Sequence, residues 1–493
     1  MKINEFYLDE DQTRVIYDDS KYLLVIAGAG AGKTLTIMAK IKYLKEILNV
    51  SLNDILVISF TNETVNSLKY KLKINFKYEL DIKTFHKLAL DIIGNNYYVV
   101  KENYLEEITN FFLTELIYSN HYLIKCILKY EQIFYTKYNY LKKYKLFLKS
   151  KKYNKLFKTI VTFINLYKSN NIDISIFKSY FKLKKDYHIL IIIYSILIFY
   201  NSELNASNLI DFNDMLSLAI TNIDNIKIKY KYIIVDEYQD TSIIRYKLLK
   251  KLVDKTKAKL LVVGDDYQSI YRFSGCNLNV FLNFKDYYDK AKILYLNNTY
   301  RNSKEIINIA GKFIMKNNNQ IKKELNSFTS INKPLKFVYY KSIKKDLTKL
   351  IMEVKSKGSV LILSRNNFDI NKYLDFNVFQ IDREGNIYLN NVFIKVRFLT
   401  VHKAKGLEAD NVILINLINS LYGFPNKLED ERIFKYVNNY KDNIRYEEER
   451  RLFYVALTRT KNNIYFYLDK SNISIFVKEI KRENKKYIEC IKK

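Results

Sequence analysis

Eight residues form the most chemically pointed run in the chain: Ala27-Gly28-Ala29-Gly30-Ala31-Gly32-Lys33-Thr34. Small side chains let backbone N–H groups close around phosphate oxygens, and the helical pattern that follows (Leu35–Leu48) adds the positive end of its dipole. Lys33 can then reach the β- and γ-phosphates of a nucleoside triphosphate, and Thr34 can hold Mg2+. The strict pattern has glycine where Ala27 stands, but a methyl group is sterically acceptable there. A loop of this kind needs acids at the end of a second strand. Asp236 and Glu237 close the apolar run Tyr232–Val235; Asp236 can hold Mg2+ through water and Glu237 can polarise an attacking water.

Composition sharpens these assignments. The 493 residues include only 11 glycines, and six of them (Gly28, Gly30, Gly32, Gly264, Gly275, Gly406) fall in the motifs discussed here. Lys and Arg total 82 against 52 Asp and Glu, for a formal charge of +30, yet only 13 of the basic residues are Arg. With abundant Tyr, Asn and Ile and no Trp, that bias fits an AT-rich coding sequence, so the charge alone does not identify a nucleic-acid partner. Three widely spaced cysteines and four histidines form no CxxC or HxxxH, which excludes a disulfide scaffold and a zinc module. A reduced, cytoplasmic protein is expected, nucleoid-associated if bacterial. No secretory signal is apparent, and the longest apolar run, Ile189–Tyr200, is too short to span a membrane.

The elements that must position the chemistry are α/β units. Leu23–Gly28, Asp54–Thr61, Tyr232–Glu237 and Lys259–Asp265 are continuous apolar strands suited to a parallel sheet covered on both faces. Leu335–Tyr340, Ser359–Ser364 and Asn411–Asn416 repeat the pattern in a second lobe. The first lobe is interrupted: residues 87–208, between its strands Asp54–Thr61 and Tyr232–Glu237, lack proline and read as helices. Within 121–190 there are 16 Lys against 3 acidic residues, interleaved with Tyr and Phe. That stretch is either a solvated basic face or a track for a nucleic-acid backbone.

Taken in order, several segments resemble superfamily 1 DNA helicases of the UvrD/Rep/PcrA type. LDEDQ (Leu8–Gln12) resembles the adenine-reading Q motif and AGAGAGKT is motif I. SFTNET (Ser59–Thr64), TFHKLAL (Thr84–Leu90) and DFNDML (Asp211–Leu216) resemble DNA-contacting motifs. VDEYQDTS (Val235–Ser242), VVGDDYQSIYRFSG (Val262–Gly275) and NTYRNS (Asn298–Ser303) match motifs II, III and IV. FLTVHKAKGLEADNVILI (Phe398–Ile415) and EEERRLFYVALTRTK (Glu447–Lys461) match motifs V and VI. YGFPNK and TYRNSKEIINIAGKF are similar to the helicase IV branch.

The resemblance implies two tandem RecA-like P-loop motor domains of α/β class with a helical insertion in the first. The expected division is 1–86 and 209–297 for the first motor domain, 87–208 for the insertion, and 298–493 for the second, with a minimal insertion at 366–397. It further implies that Gln12 reads adenine, Tyr300 stacks on it and Glu408 meets the ribose. Gln268 senses the γ-phosphate, and Arg301 and Arg459 act as arginine fingers. On the DNA side it implies Phe60, Asn62, Thr84, His86, Tyr271, Phe273 and His402, with Phe273 where the family commonly has a stacking Trp. Outside TFH and TVHKAKG, His86 and His402 would read as ordinary core or surface histidines. The implied function is ATP-dependent, Mg2+-requiring 3′→5′ translocation on single-stranded DNA with helicase activity, acting at single/double-strand junctions. A non-unwinding DNA-dependent ATPase, a regulatory DNA-binding relative and an RNA helicase stay open. A helicase–nuclease is disfavoured, because only 32 residues follow Lys461.

Overall fold

The computed structural model describes residues 2–3, 6–94, 97–182, 186–438 and 446–492. Two of the basic residues noted above, Lys184 and Lys185, lie outside the described residues.

Six strands form the first sheet: β1 (Tyr22–Ala27), β2 (Ile55–Ser59), β3 (Asp81–Thr84), β4 (Tyr232–Val235), β5 (Lys259–Gly264) and β6 (Lys292–Leu296). All pair in parallel, in the order β6-β1-β5-β4-β2-β3. Alternate side chains of one strand enter different cores. Leu24 and Ile26 join the layer around Phe281 and Leu248, while Leu23 and Val25 join the layer around Ile37 and Leu44. A strand buried on both faces has no polar alternation to keep, so it reads as a solid apolar run. In a parallel sheet the strands' carboxyl ends gather on one edge, where ligands bind. Ala27, Val235 and Gly264 end β1, β4 and β5 there.

Eight strands form the second sheet: β7 (Leu335–Tyr339), β8 (Val360–Ser364), β9 (Gln380–Ile381), β10 (Asn386–Leu389), β11 (Val392–Thr400), β12 (Ala409–Leu414), β13 (Thr460–Leu468) and β14 (Ile488–Lys492). Their order is β9-β10-β11-β8-β12-β13-β7-β14, parallel except for the antiparallel edge β9-β10-β11. Residues 366–397 build that edge and the short helix Asp369–Tyr373, and Tyr373, Phe379 and Ile387 pack into the sheet's own core. The DREGN turn joins β9 to β10, with Gly385 at φ +85°.

The insertion has its own helical core, in which helices Lys151–Ser169 and Tyr187–Ala206 are the longest. The second of these is the one helix among the described residues long and apolar enough to cross a membrane, but Ile189, Ile192, Ile193, Ile196 and Leu197 bury themselves in that core. Helix Phe85–Ile93 runs across the boundary expected at residue 87, and its Leu88, Ala89, Ile92 and Ile93 belong to the first sheet's core. The insertion is closed at its base by parallel pairing of Tyr98–Val99 with Leu209–Ile210.

A segment between motifs V and VI also reaches the insertion. Ile433 and Val437 enter its core, and Asn170 Nδ2 donates to the Val437 carbonyl at 2.7 Å. Asp186 accepts from Arg432, from Lys435 at 3.1 Å and from the Tyr436 hydroxyl at 2.6 Å, while Lys155 pairs with Glu431 at 2.8 Å. Three donors hold the Asp186 carboxyl down to about 2 against the opposing pull of burial. Nothing in the sequence pointed to this strap.

Candidate nucleotide and nucleic-acid site

Helix Lys33–Glu46 starts at the lysine of the phosphate loop, with Gly30 at φ +72° and Gly32 at φ +76° before it. These two glycines are required by shape as well as by φ. A Cβ on Gly30 would stand 2.6 Å from Arg301 Cβ, and one on Gly32 would stand 2.6 Å from Gln12 Nε2. The loop is thus closely approached from both sides, by helix Glu10–Tyr17 and by the chain entering the second sheet's half.

Gln12 is 1% exposed. Its Oε1 accepts from the Asp9 backbone at 3.2 Å while Asp9 Oδ1 accepts from the Gln12 backbone at 2.7 Å, a reciprocal cap that fixes the amide. Gln12 Nε2 has no hydrogen-bond partner among the described residues. A buried donor left unpaired costs about 1–3 kcal/mol, so its natural partner is a ligand. The Tyr300 N–H donates to the Gly30 carbonyl at 3.0 Å and its hydroxyl to Asp9 Oδ2 at 2.6 Å, which stands the ring beside the loop, where Phe328 stacks on it at 5.8 Å. Phe328 was missed by the sequence reading; an exposed Phe outside any motif carries no signal.

At the end of β4, Lys33 Nζ donates to Glu237 Oε1 at 2.8 Å, and Gln239 Nε2 donates to Glu237 Oε2 at 2.6 Å. Glu237 sits at φ +52°, an unfavourable region for a side-chain-bearing residue that turns its carboxylate onto Lys33. Burial pushes the Glu237 carboxyl up, but Lys33 and Lys405 outweigh it and hold it low. Burial and the Glu237 charge push Asp236 up. Thr34 and Asp236 are hard oxygen donors of the type Mg2+ takes alongside phosphates.

Gln268 links the two halves. Its Nε2 donates to Asp265 Oδ2 at 2.6 Å, and its Oε1 accepts from Arg459 Nη2 at 3.0 Å. Arg459 is 1% exposed, its Nε donates to the Val455 carbonyl at 3.0 Å, and burial with the nearby Arg301 charge pushes its guanidinium down to about 9. Lys405, which no expectation singled out, binds Asp240 and the Gln268 carbonyl (2.8 Å) and lies over the Tyr271 ring. Arg301 and Glu408, expected on phosphate and ribose respectively, pair with each other at 2.7 Å, and Lys461 shares Glu408 at 3.0 Å.

The expected nucleic-acid residues fall into two groups. Tyr271, Phe273 and His402 are together: the Tyr271 hydroxyl donates to the His402 carbonyl at 3.2 Å, and Phe273 meets the His402 ring at 5.7 Å. Phe273 is 58% exposed. In the other group, Phe60 packs on Phe85 beneath Arg245, and His86 packs on Phe212. Asn62 opens an exposed helix start, while Thr84 is buried and caps helix Phe85–Ile93 by accepting from the Lys87 N–H at 3.2 Å. Burial and neighbouring cations push His86 and His402 down to about 4, so each ring offers neutral hydrogen-bonding nitrogens at neutral pH.

Comparison with known proteins finds matches in both halves of the chain. The family model described as the UvrD/REP helicase N-terminal domain matches residues 8–289, and the UvrD-like helicase C-terminal domain matches residues 380–471. DNA helicase IV of Escherichia coli (strain K12) is 32% identical over 290 residues, covering 57% of this chain and 40% of its own. The ATP-dependent DNA helicase Rep of Buchnera aphidicola subsp. Baizongia pistaciae is 27% identical over 79% of this chain and 52% of its own. PcrA of Staphylococcus epidermidis is 27% identical over 68% of this chain and 43% of its own. The chain therefore spans about half the length of the curated relatives it matches. A phosphate loop approached by Arg301 from a second α/β half, and family-model matches over both halves, lead to one assignment: the chain belongs to the UvrD/Rep helicase family.

Proposed function

We propose that the chain is an ATP-driven 3′→5′ translocase on single-stranded DNA, with helicase activity at single/double-strand junctions. It would be built as two tandem RecA-like lobes, with the helical insertion on the first and no separate accessory domain at 366–397. The observation that carries the proposal is the Gln268–Arg459 hydrogen bond at 3.0 Å. It joins motif III of one half to motif VI of the other beside the phosphate loop, the arrangement needed by an arginine finger that reaches across from the other half of the same chain.

Hydrolysis follows from the side chains. The loop amides and Lys33 bind the phosphates; to do so, Lys33 leaves Glu237. That frees the carboxylate to accept a proton from the water attacking the γ-phosphorus as the bond to the leaving oxygen breaks. Arg301 and Arg459 spread the charge that builds on the transferring group, a bidentate task for which Lys is a poor substitute. Thr34 and Asp236 would hold Mg2+, which supplies charge neutralisation across the β- and γ-phosphates. Because the fingers come from the half that does not carry the loop, ATP favours closure and its loss favours opening. Motif III carries both Gln268 and Phe273, so closure can be felt at the stacked base. The direction of movement is the one the family resemblance implies.

The test is ATP hydrolysis measured with single-stranded DNA and with RNA of equal length, followed by strand displacement from duplexes with 3′ or 5′ tails. DNA-stimulated hydrolysis with displacement from 3′ tails alone is expected. Stimulation by RNA only, or displacement from 5′ tails, would refute the proposal.

A further inference from the structure

The segment after helix Lys304–Ile314 returns to the first half and lies over the phosphate loop. Leu325 packs on Gly28 closely enough that a Cβ there would stand 2.5 Å from Leu325 Cδ2, and Asn326–Ser327 pairs with Asn298–Thr299. Within this segment, Lys323 is buried, with 1% of its side chain exposed. Its ammonium meets Asp265 Oδ1 at 2.5 Å and Asp266 Oδ1 at 2.6 Å. It also approaches the Ala27 carbonyl, at the head of the phosphate loop, at 3.3 Å and lies 3.8 Å from the centroid of the Tyr267 ring. The two carboxylates have other partners. Asp266 Oδ2 accepts from the Ile321 N–H at 2.8 Å and from Gln320 Nε2 at 2.9 Å. Asp265 Oδ1 also accepts from the Tyr267 N–H at 3.1 Å, and Oδ2 accepts from Gln268 Nε2 at 2.6 Å.

A continuous buried chain therefore runs Lys323–Asp265–Gln268–Arg459. An amide side chain can present either end, and Gln268 is kept from flipping because Asp265 takes its N–H and leaves its oxygen to Arg459. A lysine placed on the outer oxygen of Asp265, with no direct contact to Gln268, fixes the carboxylate that makes that choice. Outer partners of this kind set the orientation of the inner group. We propose that Lys323 is a positioning residue for nucleotide hydrolysis: it locks Asp265 so that Gln268 faces the arginine finger, and it ties this lock to the phosphate loop at Ala27. The inference rests on the hydrolytic reading given above.

The deciding experiment compares Lys323→Met, Gln268→Ala and the double variant in DNA-stimulated ATPase. Loss of an outer-shell partner lowers activity by about 10- to 100-fold. Lys323→Met should lower kcat by that much with KM for ATP moved less than threefold, and it should have almost no further effect in the Gln268→Ala background. Equal fold-losses in both backgrounds would mean that Lys323 acts as ordinary structure, and an unchanged kcat would mean that it does nothing for hydrolysis. Either would overturn the proposal. Should Lys323→Met fold poorly, Lys323→Met/Asp266→Asn keeps the net charge of the trio without restoring the contact to Asp265. Its melting temperature should recover while kcat stays low, and full recovery of kcat would refute the positioning role. Hydrogen exchange across residues 265–275 gives a readout that needs no turnover: the charge-balanced variant should exchange faster there than wild type, and identical exchange would sink the proposal even if the protein proved not to be an ATPase.

Discussion

Truncating Phe273 to alanine separates a base-stacking ring from a core ring, because the two roles move different measurements. A fully buried Phe lost from a core destabilises by about 3–5 kcal/mol. Phe273 is 58% exposed and meets the Tyr271 and His402 rings edge-to-face, at 6.1 and 5.7 Å. Under half of its surface is sheltered, so at about 1.5–3 kcal/mol for complete burial its truncation removes roughly 1 kcal/mol of folding stability. The expected fall in melting temperature is about 2 °C or less. A ring stacked on a base is worth about 1–3 kcal/mol, which corresponds to a roughly 5- to 150-fold weaker hold on single-stranded DNA. Fluorescence anisotropy with a labelled oligothymidine, measured at fixed salt beside a thermal melt, reads both quantities. ATP turnover at saturating DNA should continue while translocation per ATP falls. Unchanged affinity and unchanged translocation speed, or a stability loss on the scale of a core residue, would refute the stacking role.

Lys33→Ala should abolish turnover and leave Glu237 without its ion-pair partner, raising the carboxyl of Glu237; retained DNA-stimulated hydrolysis would dismiss the phosphate-loop assignment. Arg301→Ala and Arg459→Ala should each bind nucleotide and hydrolyse it on the order of 10³-fold more slowly, read in single-turnover kinetics. They should differ in stability. Arg459 is fully enclosed and its loss strands its acceptors, whereas Arg301 leaves Glu408 still paired with Lys461, so only Arg459→Ala should melt markedly lower. His86 and His402 sit at about 4 in the fold against 6.5 for a free imidazole. Below pH 6.5 the unfolded chain takes up protons that the folded one refuses, so their contribution, present above that pH, is lost as pH falls from 6.5 to 4, on the order of 1–3 kcal/mol each. Urea titrations at pH 7.5 and 5.5 should show that loss shrinking in H86N and H402N; equal losses in wild type and variants would contradict it.

How much of the protein is legible in its sequence depends on how local the information is. Strands β1, β2, β4, β5, β7, β8 and β12 were readable because burial on both faces leaves a solid apolar run. Edge strands β3 and β14 were not, since they carry polar residues, and β13 opens on the polar run Thr460-Lys-Asn-Asn. The phosphate loop and the acids after β4 follow from backbone chemistry in a few consecutive residues. Lys405, Phe328, Lys323 and the strap at 432–437 depend on contacts between residues tens to hundreds of positions apart, and outside the phosphate loop none of the 69 lysines stands out. Arg459 was expected because it stands in the segment that resembles motif VI, with the scarcity of Arg in support; Lys323 lies in no such segment, and Lys is common.

The strap changes how the molecule is connected as a mechanical object. The chain joins the helical block to the first half twice, at its paired base, and the strap joins it to the second half; direct contacts such as Arg459 to Gln268 connect the two halves. Three bodies joined in this way form a closed ring, not an open string. In a ring no joint turns alone, so a rotation between the two sheets must carry the helical block with it or open the joint at Asp186. That joint has two kinds of resistance: Ile433 and Val437 hold by exclusion of water, whereas Arg432 and Lys435, each more than two-fifths exposed, hold Asp186 through contacts that dissolved ions compete for. Ionic strength therefore adjusts the stiffness of the whole ring, through residues that take no part in the phosphate loop.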